Sequence, residues 1–411
     1  MIVNGVNCLY CKGRLLCGLK KCKVLERYNN IKKVTSNLKG TSFSGSSPPS
    51  LFVSWTNYPN VSLAPLSSPV INSNAALLDN PEKWFGLDEG KIISFREQLI
   101  SSRKSFDVSS ASNPSRLLSE IQEMTMSIKP VEVGIELKKK PIPRLSFDSF
   151  SAPLGPIAPL KKFSLEENPH IERKVDYIVG DTDLKAIEGV KELYKENFPV
   201  HFLYKLLSGG LLGVKRKRKL TPTRWAITAI DSQLSIELIK KIKSFKELSS
   251  IQLFTSSSLD NHFFVLLIPG EWSFEQLEAW KPGSSWTLEE KEPNIIADHE
   301  FFKGRKKYAD KVAGAYYAAR LAVAEYLEKE RRQATAIVFR EIGKDYSIPL
   351  GVWVIRENMR NALKKKPLIF SELNLALRFL ELKLTIPLKN YEKNSKLLDS
   401  LKHQKKITDF S

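Results

Sequence analysis

Apolar and polar residues recur along this chain with two periods, and each period predicts one type of element. Buried strands are predicted where β-branched and aromatic residues run together, in "VDYIVGD", "RWAITAID", "HFFVLLIP", "ATAIVFREI" and "LGVWVIRE". The first of these strands should end at Asp181 and lead into a helix through "KAIEGVKELYKENF". The longest predicted helix lies in "KGRKKYADKVAGAYYAARLAVAEYLEKERRQ", where one stripe carries Tyr308, Val312, Ala315, Ala319, Val323 and Leu327.

Helix starts and linkers are indicated by proline, glycine and serine. "SFSGSSPPSLF" predicts a linker that meets the main body at a proline pair. Helical spacing then begins after "LLDNPEKWFGL", where Asp79 or Asn80 can cap the helix and Pro81 can take its first position.

Together these patterns predict an α/β (mixed α+β) fold with a single large body. We expect a small module over 1–24, a basic linker over 25–47, the main domain over 48–387, and a flexible Lys-rich tail over 388–411.

Charge narrows the class of partner. The 411 residues include 64 Lys and Arg against 45 Asp and Glu, a net charge of +19 at neutral pH. Such an excess favours a polyanion such as DNA, and a Lys-rich solvated surface is the alternative. The first residues contain no apolar stretch of signal-peptide length, and the longest apolar run, Phe263–Pro269, is far shorter than the roughly 20 residues that cross a bilayer. We expect a soluble, cytoplasmic, nucleoid-associated protein with no membrane partner.

All four cysteines fall in "CLYCKGRLLCGLKKC". Cys8, Cys11, Cys17 and Cys22 have the spacing C-x2-C-x5-C-x4-C, which lets each pair chelate one ion while nearby glycines turn the backbone. Four thiolates suit a structural zinc ion with no open coordination position. An iron–sulfur cluster takes the same ligands, and two disulfides are the remaining alternative, which an intracellular setting disfavours.

Acidic residues next to the predicted strands give candidate catalytic groups. Asp181 and Asp183 are close enough in sequence to hold one divalent ion, and Asp231 can join them from a neighbouring strand. Arg224 would pair a phosphate, and Mg²⁺ or Mn²⁺ would be the ion. A D-T-D sequence also forms ordinary loops and helix caps, which is the alternative interpretation.

A run of five basic residues follows a glycine pair in "LSGGLLGVKRKRKLTPTRWAITAID". Lys215, Arg216, Lys217, Arg218 and Lys219 cannot all be buried, so they contact either water or a polyanion such as DNA. The glycines do not form a nucleotide-binding P-loop, because no G-x-x-x-x-G-K-[ST] is present.

Three further polar groups occur in the second half of the chain. Asp298, His299 and Glu300 form a polar triplet that lacks the second clustered histidine typical of a metal site. Arg-Glu pairs occur at 340–341 and 356–357, at the ends of two predicted strands. These pairs indicate either a structural layer of ion pairs or the wall of a pocket for an anionic ligand.

The final residues "QKKITDFS" fit the sliding-clamp-binding pattern Q-x-x-h-x-x-a. A short turn would place Ile407 and Phe410 in one apolar pocket while Gln404 forms a hydrogen bond beside it. The usual second aromatic residue is absent, and Ser411 stands in its place. We therefore expect a weakened anchor on the sliding clamp (PCNA).

Motifs spread over nearly the whole chain, in order, resemble the archaeal Nre DNA-repair family. They are the cysteine module, "SPPSLFVSWTNYPNV", "LLDNPEKWFGL", "SIKPVEVGIEL", "DYIVGDTDLKA", "LSGGLLG", "RKLTPTRWAITAID", "YYAARLAVAEYL", "RQATAIVFREI" and "PLGVWVIRE". The resemblance implies a role in the response to DNA damage. It also implies zinc-finger-like cysteines at Cys8, Cys11, Cys17 and Cys22, and a clamp-interacting peptide at Gln404, Ile407 and Phe410.

Two functional classes follow. In the first, the protein is a non-catalytic repair adaptor that binds DNA through its zinc module and its basic residues and binds the clamp through its last residues, so that tethering raises its local concentration. In the second, the body is a nuclease or a hydrolase or transferase acting on nucleotides or NAD, and the C-terminal peptide delivers it. The sequence leaves catalysis open.

Overall fold

The computed structural model describes residues 2–3, 6–18, 20–143, 152–284, 287 and 290–403. The predicted mixed α+β class is confirmed, because the described residues form two six-stranded sheets whose strands are interspersed with helices along the chain. Contacts between Cα atoms divide the chain into two compact units. One comprises residues 19–233 with 13–15, and the other comprises 234–411 with 1–12 and 16–18.

The N-terminal elements are short. Strands β1 (Ile2–Val3) and β2 (Val6–Asn7) pair antiparallel and lead into a single helical turn, α1 (Cys8–Cys11). Helix α2 (Lys23–Ser36) follows. The segment 25–47 was predicted to be a linker, and it instead forms α2 and strand β3 (Ser42–Ser47). Spacing explains the helix, because Arg27, Ile31 and Val34 are buried on one of its faces.

The first sheet belongs to the unit that contains residues 19–233. Its strands are β3 (Ser42–Ser47), β4 (Ser50–Val53), β5 (Asn60–Ser67), β6 (Ile100–Asp107), β7 (Val131–Leu137) and β8 (Ile157–Leu165). They lie in the order β3-β7-β8-β6-β5-β4, and only the β6–β8 pair is parallel. Helices α3 (Glu89–Glu97) and α4 (Arg116–Met126) complete this layer, and Leu118, Ile121 and Met124 of α4 pack into the core of the sheet.

Four helices follow: α5 (Arg173–Gly180), α6 (Ala186–Lys195), α7 (Val200–Ser208) and α8 (Thr223–Ile242). The predicted helix after Asp181 is confirmed as α6. The predictions of strands at "VDYIVGD" and "RWAITAID" were wrong, because these segments form α5 and the start of α8. Their buried residues are spaced three or four apart, as Val175 and Ile178 are in α5 and Ala226 and Ile230 are in α8. That spacing buries one helix face.

The second sheet belongs to the other unit. Its strands are β9 (Ile251–Ser258), β10 (Asn261–Ile268), β11 (Ser273–Trp280), β12 (Asn294–Glu300), β13 (Thr335–Ile342) and β14 (Leu368–Phe370). The order is β12-β11-β13-β10-β9-β14, and β11 and β13 run parallel. Strands β10 and β13 confirm the predictions for "HFFVLLIP" and "ATAIVFREI". Both are almost entirely buried, as continuous apolar runs predict.

The helices of this unit are α9 (Gly314–Glu330), α10 (Trp353–Leu363), α11 (Leu373–Lys383), α12 (Leu388–Glu392) and α13 (Lys396–His403). The long helix is confirmed from Gly314 onward, with Ala315, Ala319, Val323 and Leu327 buried. Tyr308 lies before the helix and is half-exposed. "LGVWVIRE" was predicted as a strand and forms α10 instead.

Residues 388–403 are part of the folded unit, which corrects the prediction of a flexible tail that begins at 388. Leu388, Tyr391, Leu397 and Leu398 join the apolar core of the second sheet. Two carboxylates from the sheet bind the backbone within this segment and just before it. Glu341 on β13 accepts hydrogen bonds from the backbone of Thr385 and Ile386, and Glu275 on β11 accepts one from the backbone of Lys396.

Candidate nucleic-acid interface

The five basic residues at 215–219 form a tight turn on the unit that contains the first sheet. Lys217 N–H donates to the Val214 carbonyl and Arg218 N–H donates to the Lys215 carbonyl, which makes one turn of 3-10 helix. Four of the side chains are exposed to solvent: Lys215, Arg216, Lys217 and Lys219. The turn therefore presents four cations to solvent from one short segment.

Arg218 has a different role, because its guanidinium is directed into the protein. Nη2 donates to the carbonyl oxygens of Val179 at 2.8 Å and Asp181 at 3.1 Å, and Nε donates to the Gly213 carbonyl at 2.8 Å. Burial lowers the pKa of Arg218 from its ordinary value, and the charge of Asp181 opposes that change. A guanidinium remains protonated under such shifts. Arg218 thus fixes the position of the turn.

The D-T-D segment lies against this basic turn. Asp181 Oδ1 accepts the N–H of Asp183 at 2.9 Å and the N–H of Leu184 at 3.0 Å. This is the geometry of an aspartate that stabilises its own turn, the alternative interpretation of the sequence. The Thr182 carbonyl accepts the Lys215 N–H at 2.8 Å, which joins the two segments directly.

An open hollow lies between the two segments. It has a volume of about 530 Å³ and is lined by Ser112, Thr182, Asp183, Val214, Lys215 and Arg216. One carboxylate and two cations therefore share a concave surface. Asp183 and Lys215 are 32 positions apart in the sequence, and the Thr182–Lys215 hydrogen bond brings their segments together.

The other two catalytic candidates lie on helix α8. Arg224 is exposed in its first turn, and Asp231 is fully buried two turns further along. Neither side chain lines the hollow beside Asp183. Within the described residues, no three His, Cys, Asp or Glu side chains are grouped as a metal site, so the aspartates are not assembled around one ion.

The cysteine segment combines one helical turn with residues of positive φ. Cys8 begins and Cys11 ends α1, and Lys12 and Gly13 have positive φ angles. Cys22 lies at the N-cap position of α2 without a capping hydrogen bond from its side chain. The structure contains no disulfide between these cysteines. The four thiols and the turns fit zinc chemistry. Their sulfur atoms are not gathered as a metal-binding group in this part of the chain.

Two residues of the polar triplet in the second unit have structural roles. Asp298 accepts hydrogen bonds from Arg305 and from the backbone of Lys311 and Val312, so it holds the loop before α9. Glu300 pairs with Arg320 at 2.7 Å. His299 lines an open hollow of about 700 Å³, and burial lowers its pKa.

The first Arg-Glu pair also belongs to the interior. Arg340 pairs with Glu278 at 2.7 Å, and it donates to Asn261 as well. Arg356 and Glu357 lie on helix α10, not at the end of a strand, and both are buried. The interpretation of 340–341 as a structural ion-pair layer therefore agrees with the geometry.

The predicted clamp-binding residues Gln404, Ile407 and Phe410 lie outside the described residues. No helix within the described ranges combines the length and apolar character needed to cross a lipid bilayer.

Comparison with known proteins defines the class of this molecule. The chain belongs to the archaeal Nre family: the model for "Archaeal Nre, N-terminal" matches residues 16–287, and the model for "Archaeal Nre, C-terminal" matches residues 300–410. The resemblance expected from the sequence motifs is thereby confirmed.

Particular relatives are similar over most of their length. The chain is 38% identical to "DNA repair protein NreB" of Archaeoglobus fulgidus over 92% of this chain and 93% of the relative. It is 39% identical to "DNA repair protein NreA" of the same organism over 91% of this chain and 92% of the relative. Identity to "DNA repair protein NreA" of Haloferax volcanii is 35%, over 80% of this chain and 79% of the relative. No solved structure was found to match the chain.

Proposed function

We propose that this protein is a DNA-repair protein that binds DNA through its basic turn and reaches its site of action through the sliding clamp. Membership of a family whose relatives are named DNA repair proteins supports the repair role. DNA binding is supported mainly by the basic turn. It presents four exposed cations, Lys215, Arg216, Lys217 and Lys219, and hydrogen bonds from Arg218 fix its backbone.

Phosphate contact explains why such a turn is useful. Lys and Arg that neutralise DNA phosphates release condensed counterions, so affinity falls steeply with salt. A turn that is already held in place loses little conformational entropy when it binds. Contacts to DNA phosphates do not depend on the base sequence of the DNA, which suits a protein that acts wherever DNA is damaged.

The double variant Lys215→Gln/Lys217→Gln tests this proposal. Fluorescence anisotropy with labelled DNA at several salt concentrations should show weaker binding, and the slope of log K against log salt should fall by about 1 to 2 units. The matched control is Lys364→Gln/Lys366→Gln, two exposed lysines on the other unit. Equal losses in both double variants would assign binding to net charge alone and overturn the role of the turn.

Clamp recruitment is the second part of the proposal, and it rests on the sequence of the peptide. Gln404, Ile407 and Phe410 supply the spacing that a short turn needs to place two apolar side chains in one pocket. Calorimetry with the archaeal clamp should show binding by the full chain and its loss in Phe410→Ala. Thr408→Ala changes a position that the pattern leaves open, so it should bind normally. Undiminished binding by Phe410→Ala would refute the motif.

The cysteines supply the third part, a structural zinc ion held by Cys8, Cys11, Cys17 and Cys22. Metal binding by thiolates is coupled to folding, so the ion would draw the four sulfur atoms together and stabilise a segment that has little apolar core. Elemental analysis should give about one zinc per chain, and Cys11→Ser should lower it. Iron with visible absorbance would instead identify a cluster.

Catalysis is a second candidate function, favoured by one observation. Asp183 shares a hollow with Lys215 and Arg216, and such a set of charges can hold a phosphate together with a divalent ion. The test is turnover with Mg²⁺ or Mn²⁺ on nicked, flapped and single-stranded DNA and on nucleotides including NAD. Product that is lost in Asp183→Asn would establish an enzyme. Equal product in that variant would remove Asp183 from the chemistry.

A further inference from the structure

Three of the exposed aromatic side chains on the unit that carries the basic turn lie on one loop and on the helix joined to it. Trp55 is 54% exposed, Tyr58 is 47% exposed and Trp225 is 45% exposed. The Tyr58 and Trp225 rings lie together, with centroids 5.1 Å apart and planes inclined by 52°. Large aromatic residues ordinarily bury most of their surface, so this group leaves much apolar area in water.

The loop that carries Trp55 and Tyr58 is held in place. It connects β4 to β5, and Tyr58 N–H donates to the Trp55 carbonyl at 3.3 Å. At the end of β4, Val53 N–H donates to the Thr223 hydroxyl at 2.9 Å, which joins the loop to the first turn of α8. Trp225 lies in that same turn. The aromatic surfaces are therefore positioned before any ligand arrives.

Backbone hydrogen bonds link this aromatic group to the basic turn. Val108 N–H donates to the Pro59 carbonyl at 3.0 Å, and the Val108 carbonyl accepts the Leu220 N–H at 2.8 Å. Val108 therefore connects the loop that carries Tyr58 to Leu220, which directly follows Lys219 in the chain. Arg224, which directly precedes Trp225, adds another exposed cation. Exposed aromatic residues and exposed cations thus lie on segments that are joined by backbone hydrogen bonds.

Single-stranded DNA matches this arrangement better than duplex DNA does. In a duplex the base faces are stacked on each other and only phosphates and base edges are accessible. In a single strand the bases are free to stack on aromatic side chains while the backbone follows a basic groove. A surface built from cations alone would serve a duplex equally well, so the exposed rings are the distinguishing feature.

We infer that the protein binds single-stranded DNA, with unstacked bases on Trp225, Tyr58 and Trp55 and with phosphates at Arg224, Lys219 and the basic turn. This inference rests on the proposed DNA-binding function, because the same basic turn supplies the phosphate contacts. It adds a strand preference that phosphate contact alone does not provide.

The test compares an oligo(dT) strand with a duplex of equal length, using Trp225→Ala, Trp55→Ala and Trp225→Phe. Loss of one stacking ring should weaken oligo(dT) binding about tenfold and change duplex binding less than about twofold. Trp225→Phe keeps a stacking ring, so it should retain most of the affinity, while quenching of tryptophan fluorescence by oligo(dT) should decrease. Leu382→Ala, which removes an apolar side chain exposed on the other unit, is the control.

The outcomes separate the two proposals. If the wild type binds neither DNA, the proposed DNA-binding function fails. If it binds both and the alanine variants bind oligo(dT) normally, DNA binding stands and the stacking inference is overturned. Equal weakening for strand and duplex also overturns it, because the rings would then support the fold of the surface. Unfolding measurements on each variant show whether a ring supports the fold of the surface. If Trp225→Ala is unstable, Trp55→Ala provides the binding test in its place.

Discussion

The guanidinium of Arg218 donates a hydrogen bond to the main-chain carbonyl of Asp181 over 3.1 Å, and this contact helps to join a basic turn to an acidic one. A second donor of the same guanidinium binds the Gly213 carbonyl. The most buried of the five basic residues thus organises the other four.

Replacing Arg218 should therefore cost stability. Arg218→Ala removes donors from the carbonyls of Val179, Asp181 and Gly213, and we expect the free energy of unfolding to fall by about 1–3 kcal/mol. Urea denaturation measures the change. Lys217→Ala removes an exposed cation of the same turn and should stay within about 0.5 kcal/mol of the wild type. Similar losses in both variants would show that Arg218 does not hold the turn.

The two aspartates of the D-T-D segment should respond differently to substitution. Asp181→Ala removes the acceptor of two N–H groups and should lower the free energy of unfolding by about 1 kcal/mol. Asp181→Asn retains an acceptor oxygen and should lose less. Asp183→Ala should have little effect on stability, because Asp183 contributes its N–H to the turn and its side chain lines the hollow. Thermal unfolding of the three variants decides between this order and an equal response.

Glu341 should be among the most sensitive buried positions. Its carboxylate accepts hydrogen bonds from the Thr385 N–H and hydroxyl, the Ile386 N–H and the Tyr391 hydroxyl. Burial of Tyr391, together with the charge of Glu341, raises the pKa of Tyr391. Glu341→Gln leaves one acceptor oxygen for these donors and should cost about 2–3 kcal/mol of unfolding free energy. Glu372→Gln, at an exposed position, is the control in guanidinium titrations. A loss no larger than that of the control would contradict the anchoring role.

Lys205 should make stability depend on pH. It is buried in α7, and burial lowers its pKa from 10.5 to about 8, with Asp79 opposing the shift. Between pH values of about 8 and 10.5, Lys205 binds more protons in the unfolded chain than in the folded one. Folding therefore becomes more favourable as pH rises through that range. Below a pH of about 8, Lys205 is protonated in both the folded and the unfolded state, and the full cost of burying its charge is present.

Lys205→Met removes that cost. The variant should be more stable than the wild type by about 3 kcal/mol at pH 7, and the difference should shrink as pH rises toward the ordinary lysine range. Urea titrations of both proteins at neutral and alkaline pH measure it. A difference that stays constant with pH would show that the charge of Lys205 is not the cause.

Continuous apolar runs were predicted well from the sequence, and short runs mixed with polar residues were not. In β10 and β13 both faces are buried, and the apolar runs Phe263–Ile268 and Ala336–Phe339 indicated strands correctly. Segments "VDYIVGD" and "RWAITAID" also contain several β-branched residues, but their buried positions recur three or four residues apart. In these segments burial of one helix face outweighed residue propensity.

The sequence predicted individual residues of the candidate site, but it did not predict how the fold brings them together. Charge alone indicated that most of the basic turn is exposed. Sequence gave no sign that Arg218 bonds to carbonyl oxygens or that Asp183 lines a hollow with Lys215, because both depend on contacts between distant segments. The motif "RKLTPTRWAITAID" contained Trp225, but only the folded chain places the Tyr58 ring against it.

The link between Glu275 and helix α13 has a consequence for local opening. The Ser395 hydroxyl caps the helix at Leu398 and also donates to Glu275 on β11, and the N–H groups of Lys396 and Leu397 donate to the same carboxylate. The terminal turns of helices commonly fray. Here the first turn cannot open without leaving a buried carboxylate without its donors, so its amide hydrogens should exchange with solvent as slowly as those of the sheet.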